Sequence, residues 1–148
     1  MEATAALAGL FLLAMLAASP VPFQSEVVFV GLQLSGVGPI WLLVLIAGAG
    51  NTLGAFITYG LGRGASRWRN RRWFPASAAQ MVRAEAWFAR WGVWVLLLSW
   101  APGGDLATLV AGVLRTPIWL FALFVTFAKT GRYAVVGWLT AQAMGFSA

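Results

Sequence analysis

From Ile40 to Gly62 no residue carries a charge, and Arg63 follows at once. About 20 apolar residues cross a hydrocarbon core of ~30 Å as a helix, so this stretch is long enough to span a membrane. A second run of spanning length lies at 117–141, interrupted by Lys129 and Arg132. Composition agrees: of 148 residues, 61% are hydrophobic and 9% charged. Soluble domains carry about 25% charged residues, and the polar surface that water requires is missing here. The reading is an all-α integral membrane protein.

The two spans open alike. Pro39-Ile40-Trp41-Leu42 returns as Pro117-Ile118-Trp119-Leu120, and at the same offset of 78 Leu45 falls on Leu123 and Thr52 on Thr130. Internal repeats inside apolar chains are how many transporters are built. Two shorter apolar arms precede each span. In the first half they are 3–18 and 26–36, broken by Pro20-Val21-Pro22; in the second, 91–100 and 105–114, broken by Pro102-Gly103-Gly104. A helix over 26–36 reaches only about 16 Å at 1.5 Å per residue, half a membrane. Half-length arms joined at a break read as a re-entrant hairpin, which enters and leaves on one side. The expected architecture is an inverted-topology repeat, each half a re-entrant helical hairpin plus one transmembrane helix. Repeat 1 covers 3–62, a basic loop 63–90 and repeat 2 residues 91–143. A cleaved leader competes for 3–18, with Ala17-Ala18-Ser19 as its cleavage site, but Glu2 stands where a leader carries cations.

Charge placement separates this architecture from four ordinary spans. Arg63, Arg67, Arg69, Arg71, Arg72, Arg83 and Arg90 crowd the loop, and Arg115 closes the second hairpin. Cytoplasmic loops collect Lys and Arg. A cytoplasmic basic loop and re-entrant hairpins put all eight on one side and both termini on the other. Four ordinary spans would put Arg115 opposite the loop and ask ten-residue arms to cross.

Several chemistries have no residues to carry them. The chain has no Cys and no His, which removes thiolate chemistry, the commonest metal ligand and the usual general base. No metal site, cofactor or enzyme activity is expected. The pI of about 11.5 would suggest nucleic acid in a soluble protein; here the cations set topology, and no nucleic-acid partner is expected. The glycines at 48, 50, 54, 60, 62 and 64 lack the Lys-Ser/Thr of a phosphate loop and suit close helix packing. Trp68, Trp73, Trp87 and Trp91 flank the loop as an interfacial aromatic belt does.

Four charged residues fall within the apolar segments: Glu26, Asp105, Lys129 and Arg132. A charge at the bilayer centre costs about 2.5–3.5 kcal/mol on insertion scales, so these should face inward and pair. Glu26 and Asp105 each begin the second arm of a hairpin. Both suit a helix cap, where free N–H groups and the dipole favour an acid, and both suit a proton or ion site at broken helix ends. Lys129 and Arg132, at i and i+3, share a face; they either neutralise the acids or receive an anionic head group. Their counterparts in the first span are Asn51 and Gly54. Asn51 joins the candidate head-group and charge-pair residues.

With these residues in view, the chain resembles the DedA family, also called the SNARE-associated or VTT-domain family, and within it the small YqaA-like branch. The likeness rests on Ser25-Glu26-Val27-Val28, on Gly50-Asn51-Thr52-Leu53-Gly54 leading to Leu61-Gly62-Arg63, and on Trp91-Gly92 through Leu97-Leu98-Ser99-Trp100-Ala101-Pro102. Gly104-Asp105-Leu106 through Ala111-Gly112, and Lys129 through Arg132-Tyr133, complete it. The resemblance implies a bacterial inner-membrane protein with two facing re-entrant hairpins. It also implies lipid movement across the bilayer, with anionic phospholipid or undecaprenyl phosphate as cargo and proton coupling through membrane acids and arginines. Glu26 stands where the family has its first-hairpin acid. Larger members carry Arg-Phe-x-Pro-Gly-x-Arg in the second hairpin; here Ser99 and Asp105 occupy the two arginine positions.

The leading expectation is a small lipid or lipid-phosphate translocator. Glu26 and Asp105 would titrate, and Lys129 and Arg132 would hold the head group. The alternative is a non-transporting membrane organiser or assembly partner in envelope homeostasis, its charges serving as structural pairs. Two hairpins and two spans bury little surface, which suggests a homo-oligomer.

Overall fold

The computed structural model describes residues 2–18, 25–64, 77–100 and 105–145, with the backbone alone at 98–100 and 105. The expected hairpin breaks at Pro20, Pro22, Pro102, Gly103 and Gly104 lie outside those residues, as do residues 65–76 of the basic loop. All regular structure described is helical: α1 (Glu2–Ala17), α2 (Ser25–Leu34), α3 (Ile40–Gly64), α4 (Ala78–Trp91), a 3-10 segment (Gly92–Trp100), α5 (Asp105–Val113) and α6 (Ile118–Ala143).

Among the described residues, α3 and α6 are long and apolar enough to cross a membrane. At 1.5 Å per residue they measure about 38 and 39 Å. Both turn a stripe of bulky apolar side chains outward, Trp41, Leu45, Leu53, Ile57 and Leu61 on α3 and Trp119, Leu123 and Phe127 on α6. The two helices pack antiparallel. A Cβ on Gly137 would meet Ile40, and one on Gly48 would lie 2.8 Å from Thr130 Oγ1. Further along, Phe56 meets Phe121 edge-on, and the Tyr59 hydroxyl donates to the Thr116 carbonyl at 2.5 Å.

Small residues and two side-chain hydrogen bonds, one from an amide and one from a hydroxyl, attach α1 to α3. A Cβ on Gly50 would overlap the Phe11 carbonyl, and one on Gly54 the Met15 carbonyl. The backbones therefore touch where these glycines stand. Asn51 Nδ2 donates to the Ala14 carbonyl and Thr58 Oγ1 to the Ala18 carbonyl, each at 2.8 Å. Between helices in lipid the hydrophobic effect gives no drive, so such close approach and hydrogen bonding supply the attraction. Residue numbers rise together along this contact, so α1 runs parallel to α3.

α2 runs the other way, along α6: Ser25 reaches Tyr133, and Gln33 Nε2 donates to the Gly137 carbonyl at 3.0 Å. The start of α1 and the end of α2 thus lie at the same end of the α3–α6 pair. The second half repeats the pairing. The 3-10 segment follows α6, with Trp94 edge-on to Phe124 at 5.1 Å. α5 packs on α3, where Cβ atoms on Gly62 and Gly112 would overlap the carbonyls of Leu109 and Tyr59. In each half the first arm packs on its own long helix and the second on the long helix of the other half.

The turns match as well. After α2, Gly36 (φ 68°) reverses the chain and Val37 N–H bonds back to the Leu32 carbonyl. After α5, Arg115 (φ 57°) does so, with Thr116 N–H on the Ala111 carbonyl at 2.9 Å. Both are six-to-one helix stops, and each is followed by the proline that opens a long helix.

The 91–100 arm departs from the α-helix expected for it. α4 starts on a reciprocal Ser77–Gln80 capping box and stops at Gly92, whose φ of 63° redirects the chain. The residues that follow wind as 3-10 helix. At ~2.0 Å rise per residue this arm measures about 18 Å, longer than an α-helix of equal residue count. α4 packs Met81 and Phe88 into a core with Val95, Leu96, Leu109 and Phe121. A second core, with Leu10, Phe29, Leu43 and Tyr133, lies toward the other end.

We expect Gly54→Leu to push α1 off α3 and cost about 1–3 kcal/mol or more as overpacking. A Cβ on Gly60 would meet no described residue within 4 Å beyond its own stretch of helix, so Gly60→Leu should not lower the melting midpoint in detergent. Equal midpoints for the two variants would refute the close α1–α3 contact.

Candidate functional site

Arg132 lies fourteen residues past Ile118, about 21 Å along an α6 of about 39 Å, and so near mid-span. Glu26 occupies the first turn of α2, where free N–H groups and the helix dipole favour an acid. The two meet: Arg132 Nη2 forms an ion pair with Glu26 Oε1, the side chains 20% and 25% exposed. Lys129, one turn earlier on α6, is fully buried.

The pair stands in a docked patch. Next to it, Ser25 Oγ and Tyr133 Oη share a hydrogen bond of 2.5 Å. The buried Tyr133 ring leans on Phe29 at 5.5 Å. With Gln33 on Gly137, these contacts fix α2 to α6 over its whole length and hold the carboxylate against the guanidinium. Ser25 and Tyr133 carry no charge, so a search for charges passes over them. Their adjacency in sequence to Glu26 and Arg132 is the signal that could have found them.

The remaining candidates are placed differently. Asn51 faces α1, its amide nitrogen on the Ala14 carbonyl and its buried Oδ1 without a hydrogen-bond partner among the described residues. It latches α1 to α3, and no described contact joins it to the ion pair. Asp105 opens α5, the arm that packs on α3; its side chain lies outside the described ones. At the loop end, Trp87, Trp91 and Trp94 border a shallow recess, and the Arg90 guanidinium lies 5.2 Å from the Trp91 ring centroid. That cluster suits an interfacial aromatic belt.

Two helices long and apolar enough to cross a membrane, an outer face of bulky apolar side chains and an ion pair half-way along α6 define an all-helical membrane protein, and known sequences narrow it. Residues 21–142 match the model of the VTT domain. The chain belongs to the VTT-domain, or DedA, family. It is 37% identical over 145 residues to "Inner membrane protein YqaA" of Escherichia coli (strain K12), covering 97% of both chains. The Shigella flexneri protein of the same name gives the same figures. An uncharacterized protein of Haemophilus influenzae is 35% identical over 139 residues, 88% of this chain and 85% of that one. No solved structure matches the chain.

Removing one member of this half-buried pair strands the other, at up to about 1–3 kcal/mol for a polar group that is fully buried. We expect Arg132→Met to lower the melting midpoint in detergent and Glu26→Gln/Arg132→Met to recover most of the loss. Additive losses would show that the two side chains do not interact.

Proposed function

We propose that the protein moves a lipid or lipid-phosphate across the inner membrane, and that protonation of Glu26 gates the movement. The observation that carries this reading is the Glu26–Arg132 ion pair near the middle of α6. With Glu26 charged, the pair is neutral and Arg132 is occupied. When Glu26 takes a proton, the guanidinium keeps an uncompensated charge in a low-dielectric region, where a phosphate suits its planar, bidentate geometry. Loss of the proton returns Arg132 to the carboxylate and releases the head group. Lys129 supplies a second cation on the same helix, and Asp105 is the titrating counterpart in the second half.

The membrane arrangement proposed with it is an inverted repeat of two re-entrant hairpins, the basic loop cytoplasmic and both termini periplasmic. The crossed pairing of second arms with opposite long helices supports this, as do the matched turns at Gly36 and Arg115. Lipid movement as the task of the wider family is what the sequence resemblance implies. One observation favours the alternative of a non-transporting organiser: the ion pair is already formed, as a structural pair would be.

Reconstitution into liposomes with labelled phospholipid and undecaprenyl phosphate, with and without a pH gradient, separates the two. We expect Glu26→Gln to reach the membrane and fold, with a lowered melting midpoint because Arg132 loses its counter-charge, and to abolish movement. The charge swap Glu26→Arg/Arg132→Glu should recover stability without activity. Movement at the wild-type rate in Glu26→Gln would refute proton gating. Full function in the swapped protein would support the organiser.

A further inference from the structure

Arg132 has a second neighbourhood besides Glu26. With Leu97 of the 3-10 segment and Phe127, Ala128, Gly131 and Val135 of α6, it lines a groove of ≈ 350 Å³. The volume is within the usual range for small-molecule sites, about 300–1,000 Å³. Its α6 residues, at 127, 128, 131, 132 and 135, form one stripe about 12 Å long. Phe127 and Val135 are 74% and 50% exposed, so the groove opens sideways, toward lipid. Apart from the guanidinium, the described residues that line it are apolar.

Gly131 marks the floor. On the same helix Gly137 is packed, a Cβ there meeting Ile40 at 2.9 Å. No described residue lies within 4 Å of a Cβ on Gly131. A glycine inside a helix is less favourable than Ala, and among the described residues no helix contact accounts for it. What the missing side chain leaves is room beside Arg132.

We infer that this groove is a lateral binding site for a phosphate-bearing lipid, its phosphate on Arg132 near mid-depth and one acyl chain along the α6 stripe against Leu97. The occupant needs an anionic end and an apolar tail at once, because among the described lining residues one cation borders an otherwise apolar channel open to the bilayer. The inference rests on the proposed function and adds a route: the head group passes while its chain stays in the lipid phase, with no aqueous entry.

The test uses the full-length protein in phosphatidylethanolamine–phosphatidylglycerol vesicles with a phosphatidylglycerol probe that carries a photoreactive acyl chain. Mass spectrometry locates the labelled residues. We expect labelling of Phe127 and Val135 to fall several-fold in Arg132→Gln and in Gly131→Leu, while labelling of Leu45 and Leu53, on the outer face of α3, stays constant. Gly131→Leu guards against misfolding, since its side chain enters open space and Leu favours helix. The same variant should slow lipid movement with Arg132 and Glu26 intact. Groove labelling equal to that of α3 and insensitive to both variants would overturn the inference, as would unimpaired movement in Gly131→Leu, which leaves the transport reading standing. Variant-sensitive groove labelling in wild-type vesicles that move no lipid would support the site and refute transport.

Discussion

An uncompensated charge near the middle of a membrane is expensive, and that cost organises this protein. Arg132 stands mid-way along α6, and the chain answers it with Glu26 from the first turn of α2. To deliver the carboxylate there, α2 must begin beside the middle of α6 and run along it. Ser25–Tyr133 and Gln33–Gly137 hold it in that register. The short length of α2 and its direction both follow from the need to bring one acid to one arginine.

Around this contact the bundle is held by close approach. Gly50 and Gly54 let α1 lie against α3; Gly62 and Gly112 let α5 do the same near the other end. Hydrogen bonds from Asn51 and Thr58 to α1 carbonyls fix the first of these contacts. The result is a rigid pair of antiparallel long helices with shorter arms crossing between the halves. On such a frame, a change of charge at Glu26 bears on Arg132, and through it on the groove beside Leu97 and Gly131. The ion pair and the groove share one guanidinium.

Much of this was legible in sequence. The uncharged run before Arg63 and the returning Pro-Ile-Trp-Leu gave the two long helices, and the length of 26–36 gave the short arm. Glu26 and Arg132 could be singled out because charge is rare in so apolar a chain. Which acid meets which cation could not be read, since pairing depends on helix direction and register. Asn51 shows the limit: repeat arithmetic aligns it with Lys129, yet its amide faces α1, because matching positions on two helices have different neighbours. The 3-10 winding after Gly92 was hidden too, because hydrophobic content does not report rise per residue. The groove needed three dimensions, for Leu97 and Gly131 are far apart in sequence and neither is polar.

The account stands on contact between the Arg132 guanidinium and the Glu26 carboxylate within the bilayer. Solid-state NMR on the protein in lipid bilayers, with carbon-13 in glutamate carboxyls and nitrogen-15 in arginine guanidinium groups, observes that contact through space. The account predicts a carboxyl–guanidinium correlation that disappears in both Glu26→Gln and Arg132→Lys. A wild-type spectrum without that correlation, with the Glu26 carboxyl exchanging freely with bulk water, would contradict it.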